Sequence, residues 1–190
     1  MKSCIIVINP IALSATKYIY NERKRELCGK FSLSFMRYAA KLCGGGEGRD
    51  GSLSGINISD QLSSLLRAGG EDSISYLREM GEGGILNALW YMNEELKSGM
   101  EIDLRKIPIR QETVEILELF NVNPYYAESE GAWLLVTQDP VSVTEICRKA
   151  GLPCAVIGHL TPGPARIIKN GDSVRYLDRP QEEALTVLRM

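Results

Sequence analysis

Apolar residues in this chain recur in two rhythms, and the switches between them predict alternating strands and helices. Cys4-Ile5-Ile6-Val7-Ile8 is a continuous apolar run ending at Asn9-Pro10, which reads as a buried first strand. Residues 12 to about 43 carry helical spacing broken near Gly29-Lys30-Phe31-Ser32, predicting two consecutive helices, the second capped by Ser32 or Ser34. A short helix is expected over 56–67, stopped by Ala68-Gly69-Gly70, and a strand over 73–78. After Gly84, the positions Ile85, Ala88, Leu89, Met92 and Leu96 fall at three- and four-residue spacing, with Leu86 and Trp90 widening the stripe; this is a core-facing helix.

Residues 100–104 alternate like a half-exposed strand. Lys106-Ile107-Pro108-Ile109 is expected to continue extended, because the residue before a proline avoids the helical region. A helix over 111–120 should wet Glu112, Glu115 and Glu118 and bury Val114, Leu117 and Phe120. Trp133-Leu134-Leu135-Val136-Thr137 reads as a strand, followed by an Asp139 N-cap, Pro140 in the first helical position and a stop at Gly151. A strand over 154–160, a β-hairpin around Asn170-Gly171 and a terminal helix over 180–188 complete the pattern. The hairpin demands antiparallel pairing and the helical crossovers permit parallel neighbours, so the expected fold is a layered α/β or α+β domain with a mixed sheet.

Composition narrows this further. With 190 residues and 44% hydrophobic content, the chain suits a single domain over 1–190. A formal charge of −2 and one short basic cluster, Arg23-Lys24-Arg25 between Glu22 and Glu26, argue against a nucleic-acid partner. No stretch approaches the roughly 20 apolar residues of a membrane helix, so a cytoplasmic location is expected. Cys4, Cys28, Cys43, Cys147 and Cys154 lack CxxC spacing, which predicts reduced, mostly buried thiols and no metal site.

Candidate chemistry centres on Met80-Gly81-Glu82-Gly83-Gly84. First-turn amides of a helix lack internal partners, and adjacent glycines let a phosphate or carboxylate approach the backbone, so such a start can hold an anion; packing and turn geometry supply the structural alternative. Residues 44–52, with five glycines, are expected to form a flexible loop, and they lack the GxxxxGK[ST] order of a phosphate loop. The single histidine, His159, sits in no recognisable triad order, and Ser129 reads as a turn residue. No catalytic residue is assigned.

Met80 to Met92, then 99–110, the helix at 112–120, Asn123-Pro124, Glu128-Ser129-Glu130-Gly131 and 155–163 together resemble the carboxy-terminal domain of the aminoimidazole ribonucleotide synthetase (PurM) superfamily, with the flavour of its HypE-like hydrogenase-maturation branch. Residues 5–42 resemble, more loosely, the opening strand and helix of that domain. The resemblance implies a three-layer sandwich, partly ferredoxin-like, normally joined to an amino-terminal domain that dimerises and binds ATP and magnesium. It also implies a DxTxGG helix start lining the cleft. Here that stretch runs Glu79-Met80-Gly81-Glu82-Gly83-Gly84: both glycines are kept, glutamate replaces the aspartate, and Gly81 replaces the threonine. HypE proteins end in a cysteine-bearing tail, whereas no cysteine follows Cys154 in this sequence.

The candidate nucleotide- or anion-facing wall is therefore Glu79, Glu82, Gly83, Gly84, Glu128, Ser129 and Gly131. Three functional readings follow. One is a binding or assembly module acting as a homodimer or with a separate ATP-binding partner. Another is part of an ATP-dependent HypE- or PurM-type enzyme, hydrogenase-maturation-like or ligase/cyclase-like, using ATP and magnesium only when a partner domain supplies the grip. The third is a small-anion sensor, which must overcome the charge of Glu79, Glu82, Glu128 and Glu130.

Overall fold

The computed structural model describes residues 2–42 and 73–180. The expected loop at 44–52, the helix at 56–67 and the body of the 180–188 helix lie outside them. Within them the order is β1 (Cys4–Ile8), α1 (Leu13–Glu22), α2 (Lys24–Lys30), α3 (Leu33–Leu42), β2 (Ile74–Glu79), α4 (Gly84–Leu96), β3 (Gly99–Asp103), a 3₁₀ turn (Leu104–Lys106), α5 (Gln111–Leu119), β4 (Trp133–Thr137), α6 (Pro140–Lys149), β5 (Cys154–Thr161), β6 (Arg166–Asn170) and β7 (Ser173–Tyr176). The strands form one mixed sheet in the order β2-β4-β1-β5-β3-β6-β7, in which β3 and β6 pair parallel and the other neighbours pair antiparallel.

β1 shows why the layers form. Its alternate residues point to opposite faces, so Ile5 and Val7 join the larger core with residues of α1, α4 and α5, whereas Ile6 and Ile8 join a smaller core with Val143 and Cys147 of α6. One sheet with helices on both faces is the expected three-layer, mixed-sheet α+β architecture.

Local rules account for most boundaries. Asp139 caps α6 by accepting from the Ser142 amide at 3.1 Å, with Pro140 behind it and Arg148 and Lys149 at the negative end. Four readings needed correction. The opening helical stretch is three helices, since α1 ends at Arg23 as well as α2 ending at Phe31. Residues 104–106 turn into a 3₁₀ segment rather than running on extended, because the Asp103 carboxylate accepts from the Arg105 amide at 3.0 Å. The buried stripe of α5 runs through Thr113, Ile116 and Leu117, and Val114 instead stands beside Glu118 in a shallow surface concavity. The hairpin register pairs Asn170 with Ser173, so its two-residue turn is Gly171-Asp172.

The thiols are less buried than expected: of the four described cysteines, Cys147 is buried, Cys4 and Cys154 are half-buried and Cys28 is exposed. Cys147 is fully buried, and burial, reinforced by the neighbouring Cys154 thiol, pushes its thiol up to about 12; burial also raises Cys154. A shift of this size leaves on the order of 1000-fold less thiolate than an ordinary cysteine. A thiol-disulfide reagent at pH 8 is therefore expected to label exposed Cys28 rapidly and Cys147 only after unfolding in guanidinium. Peptide mapping that finds the two labelled at equal rates in the native protein contradicts this.

Candidate functional site

Strand direction builds the site. β4 runs antiparallel to both β1 and β2, and its first residue, Trp133, sits opposite Ile8 on one side and Glu79 on the other. The chain leaving β1, the chain leaving β2 and the chain entering β4 therefore meet at one end of the sheet. Most of the sequence-predicted wall gathers there, although its members lie about fifty residues apart along the chain.

The joints are specific. The Gly131 amide donates to the Glu79 carboxylate at 2.9 Å, and the Met80 amide donates to the Ala132 carbonyl at 2.8 Å. The Ser129 amide donates to the Gly81 carbonyl at 3.3 Å. Ser129 is completely buried, and its hydroxyl accepts from the Ala12 amide and donates to the Ala127 carbonyl, both at 2.9 Å. It is a tie between loops, as a turn residue should be, with its oxygen turned away from solvent. Glu82 stands exposed in the turn between β2 and α4, and Glu130 is exposed on the facing loop.

Gly83 and Gly84 both adopt positive φ at the start of α4. A Cβ on Gly84 would lie 2.7 Å from the carbonyl oxygens of Tyr125 and Ala127, so the second glycine is required by the close approach of loop 125–131. That loop supplies the acceptors for the helix start: Leu86 N–H donates to the Tyr125 carbonyl at 3.2 Å, and Gly84 N–H turns back to Gly81 at 3.3 Å. It does the same for α1, where Ala15 N–H donates to the Glu128 carbonyl at 3.4 Å. One loop thus satisfies amides at two helix starts, and the side chains it leaves at the rim with β2 are carboxylates.

Sequence reasoning missed the third contributor, the chain leaving β1. Asn9 donates its side-chain amide to the Gly131 carbonyl at 2.8 Å; Ser14 donates to the Glu128 carbonyl at 2.8 Å and accepts from the Glu130 amide at 3.1 Å. Asn9 and Ala12 both hold positive φ, an uncommon conformation outside glycine. Asn9-Pro10 after a buried strand was the available signal for a sharp turn; its destination was not. The described residues contain no group of three or more His, Cys, Asp or Glu side chains placed to hold a metal ion, and no helix long and apolar enough to cross a membrane.

Comparison with known proteins places this architecture. PurL, the phosphoribosylformylglycinamidine synthase subunit, of Methanopyrus kandleri is 35% identical over 99 residues, covering 51% of this chain and 13% of PurL. The Moorella thermoacetica PurL is 34% identical over 104 residues, covering 53% of this chain and 14% of that protein. The chain thus spans only a small part of the curated relatives it matches. The crystal structure of E. coli HypE, a hydrogenase maturation protein, superposes with a TM-score of 0.71 over 97% of this chain and 51% of HypE, at 16% identity. At that identity the likeness to HypE is one of fold, while the sequence likeness falls on PurL. The glycine-led helix start, the loop that clasps it and strands β2 to β5 all lie within residues 58–169, which match the family described as AIR synthase related protein, C-terminal domain, and the chain belongs to that family.

Proposed function

We propose that this domain is a binding or assembly module: it supplies one wall of a cleft, and the groups that grip a nucleotide and its magnesium come from a second folded unit, on another polypeptide or in another domain. The observation that carries the reading is the chemistry of the wall. Its α4 amides at Gly84 and Leu86 are engaged by protein carbonyls, and its rim bears Glu79, Glu82, Glu128 and Glu130. Carboxylates repel a bare phosphate but suit a phosphate already neutralised by magnesium or by a partner's basic side chains. A homodimer or a separate ATP-binding unit would complete the arrangement.

Calorimetry of the isolated chain with ATP and magnesium tests it. No binding is expected at ligand concentrations up to about 100 μM, a range that would readily detect a free energy near −8 kcal/mol. Micromolar binding by the chain alone overturns the module reading. The second reading, that the domain belongs to an ATP-dependent enzyme, draws on the likeness to PurL and on the fold likeness to HypE, for which a structure with ATP is known. Such ATP binding would favour it.

A further inference from the structure

The sheet has two edges among the described residues, and the chain treats them differently. At one edge, β2 has an irregular register between Ile74 and Tyr76; Arg78 is paired with Glu95 at 3.1 Å, and Glu79 is tied to Gly131. Irregularity and charge are the devices by which an edge resists pairing with another strand. At the other edge, β7 follows β6 without a register shift and contains no proline; Arg175 is its only charged residue, and Val174 and Tyr176 are exposed by 61% and 71%.

The phase of the β6–β7 ladder decides what that edge offers. Leu177 N–H donates to the Arg166 carbonyl at 2.8 Å. Hydrogen-bonded pairs alternate along an antiparallel ladder, so Ile168 with Arg175 is the next bonded pair, and the backbone amides and carbonyls of Val174 and Tyr176 point away from β6. The outward-facing backbone groups thus belong to the same two residues whose apolar side chains are exposed.

We propose that β7 is a self-association edge, through which two copies of this chain pair antiparallel about a two-fold axis at Arg175 and join their sheets. In that register Val174 faces Tyr176 of the second copy and Tyr176 faces its Val174. Each pair exchanges two backbone hydrogen bonds and places a β-branched side chain beside an aromatic one, a favourable cross-strand combination. Arg175 meets its own counterpart, and Asp178, 3.1 Å from the guanidinium, offsets the repulsion. A second copy is the occupant favoured over an unrelated extended peptide because this register brings the exposed Val174 of each copy against the exposed Tyr176 of the other. The inference names a surface for the homodimer that the module reading allows, but it does not rest on the cleft wall: β6, β3 and β5 separate β7 from β1, leaving that wall uncovered.

Light scattering and sedimentation of the full chain, without nucleotide, test it between about 5 and 500 μM, the range over which small interfaces dissociate. The expected result is a concentration-dependent doubling of the 21.1 kDa mass. Val174→Pro deletes an outward N–H and leaves the β6–β7 hydrogen bonds in place, and Val174→Lys adds charge at the edge without touching the backbone. Each is expected to raise the dimer dissociation constant at least tenfold, with circular dichroism unchanged for the lysine variant. A wild-type chain that stays monomeric throughout, or a folded Val174→Lys variant that dimerises like wild type, overturns the proposal. Arg175→Cys is expected to give a disulfide-linked dimer when glutathione disulfide accepts the two electrons; failure to cross-link while the dimer persists overturns the axis at Arg175. Because no arm uses ATP or magnesium, failure here and failure of the cleft-wall reading give separate results.

Discussion

Gly84→Ala is expected to destabilise the domain by about 2–4 kcal/mol and to lower its melting temperature by roughly 5–15 °C. Two effects add, and their sizes differ. Holding alanine at φ +63° costs only about 1 kcal/mol. The added methyl would also stand 2.7 Å from the carbonyl oxygens of Tyr125 and Ala127 and 3.0 Å from the Tyr126 carbonyl carbon, all backbone atoms that no side-chain rotation can move aside. Collision therefore dominates. Gly131→Ala isolates the smaller effect, because φ is +84° there and nothing lies within 4 Å of the new Cβ; it should cost about 1 kcal/mol.

Denaturant titration of both variants checks the difference, and hydrogen exchange locates it. Displacing loop 125–131 removes acceptors from Leu86 N–H and Ala15 N–H together, so both amides should exchange faster in Gly84→Ala although they belong to different helices. A Gly84→Ala variant no less stable than Gly131→Ala would show that the loop yields freely and does not clasp the two helix starts.

Gly158→Ala is expected to be at least as damaging, about 3–5 kcal/mol, for a different reason. Gly158 lies in β5 between β1 and β3, at the point where the β1 register shifts between Ile5 and Ile6. A Cβ at this position would come 2.1 Å from the Glu101 carbonyl oxygen and 2.8 Å from the Ile102 Cα. β3 would have to move away from β5, and β3 also carries the parallel pairing to β6. Loss of the folded baseline at 37 °C, or a large fall in denaturant midpoint, is the expected measurement. Stability within 1 kcal/mol of wild type would mean that the two strands separate without cost.

The two substitutions mark where sequence reading succeeds and where it stops. Gly83-Gly84 before the stripe Ile85, Leu89 and Met92 announced both a helix and its start, because a 3.6-residue period and a glycine-led turn are local properties. Gly158, inside Ala155-Val156-Ile157-Gly158-His159, carried no such announcement. Its demand for space is set by the carbonyl of Glu101, 57 residues earlier in the chain. Ser129 was legible as a turn residue, yet its bond to the Ala12 amide, 117 residues away, was not. Part of the face of α5 was misjudged for the same reason: Leu117 is buried and Phe120 packs against the core as expected, but the position of α1 selects Thr113 over Val114, the Thr113 hydroxyl lying 3.1 Å from that of Thr16.

By itself, then, the amino-acid sequence determined the alternation of elements, the mixed sheet, the capping of α6 and the glycines at the α4 start, because periodicity, caps and turns act over a few residues. The tertiary structure alone decided that the chain leaving β1 meets the loops after β2 and before β4, that loop 125–131 engages amides of two helices, and that, among the described residues, one sheet edge is irregular in register while the other is regular and exposes Val174 and Tyr176. Those outcomes depend on which strands become neighbours and in what register, and strand pairing joins backbone groups that carry no side-chain signature of their partner.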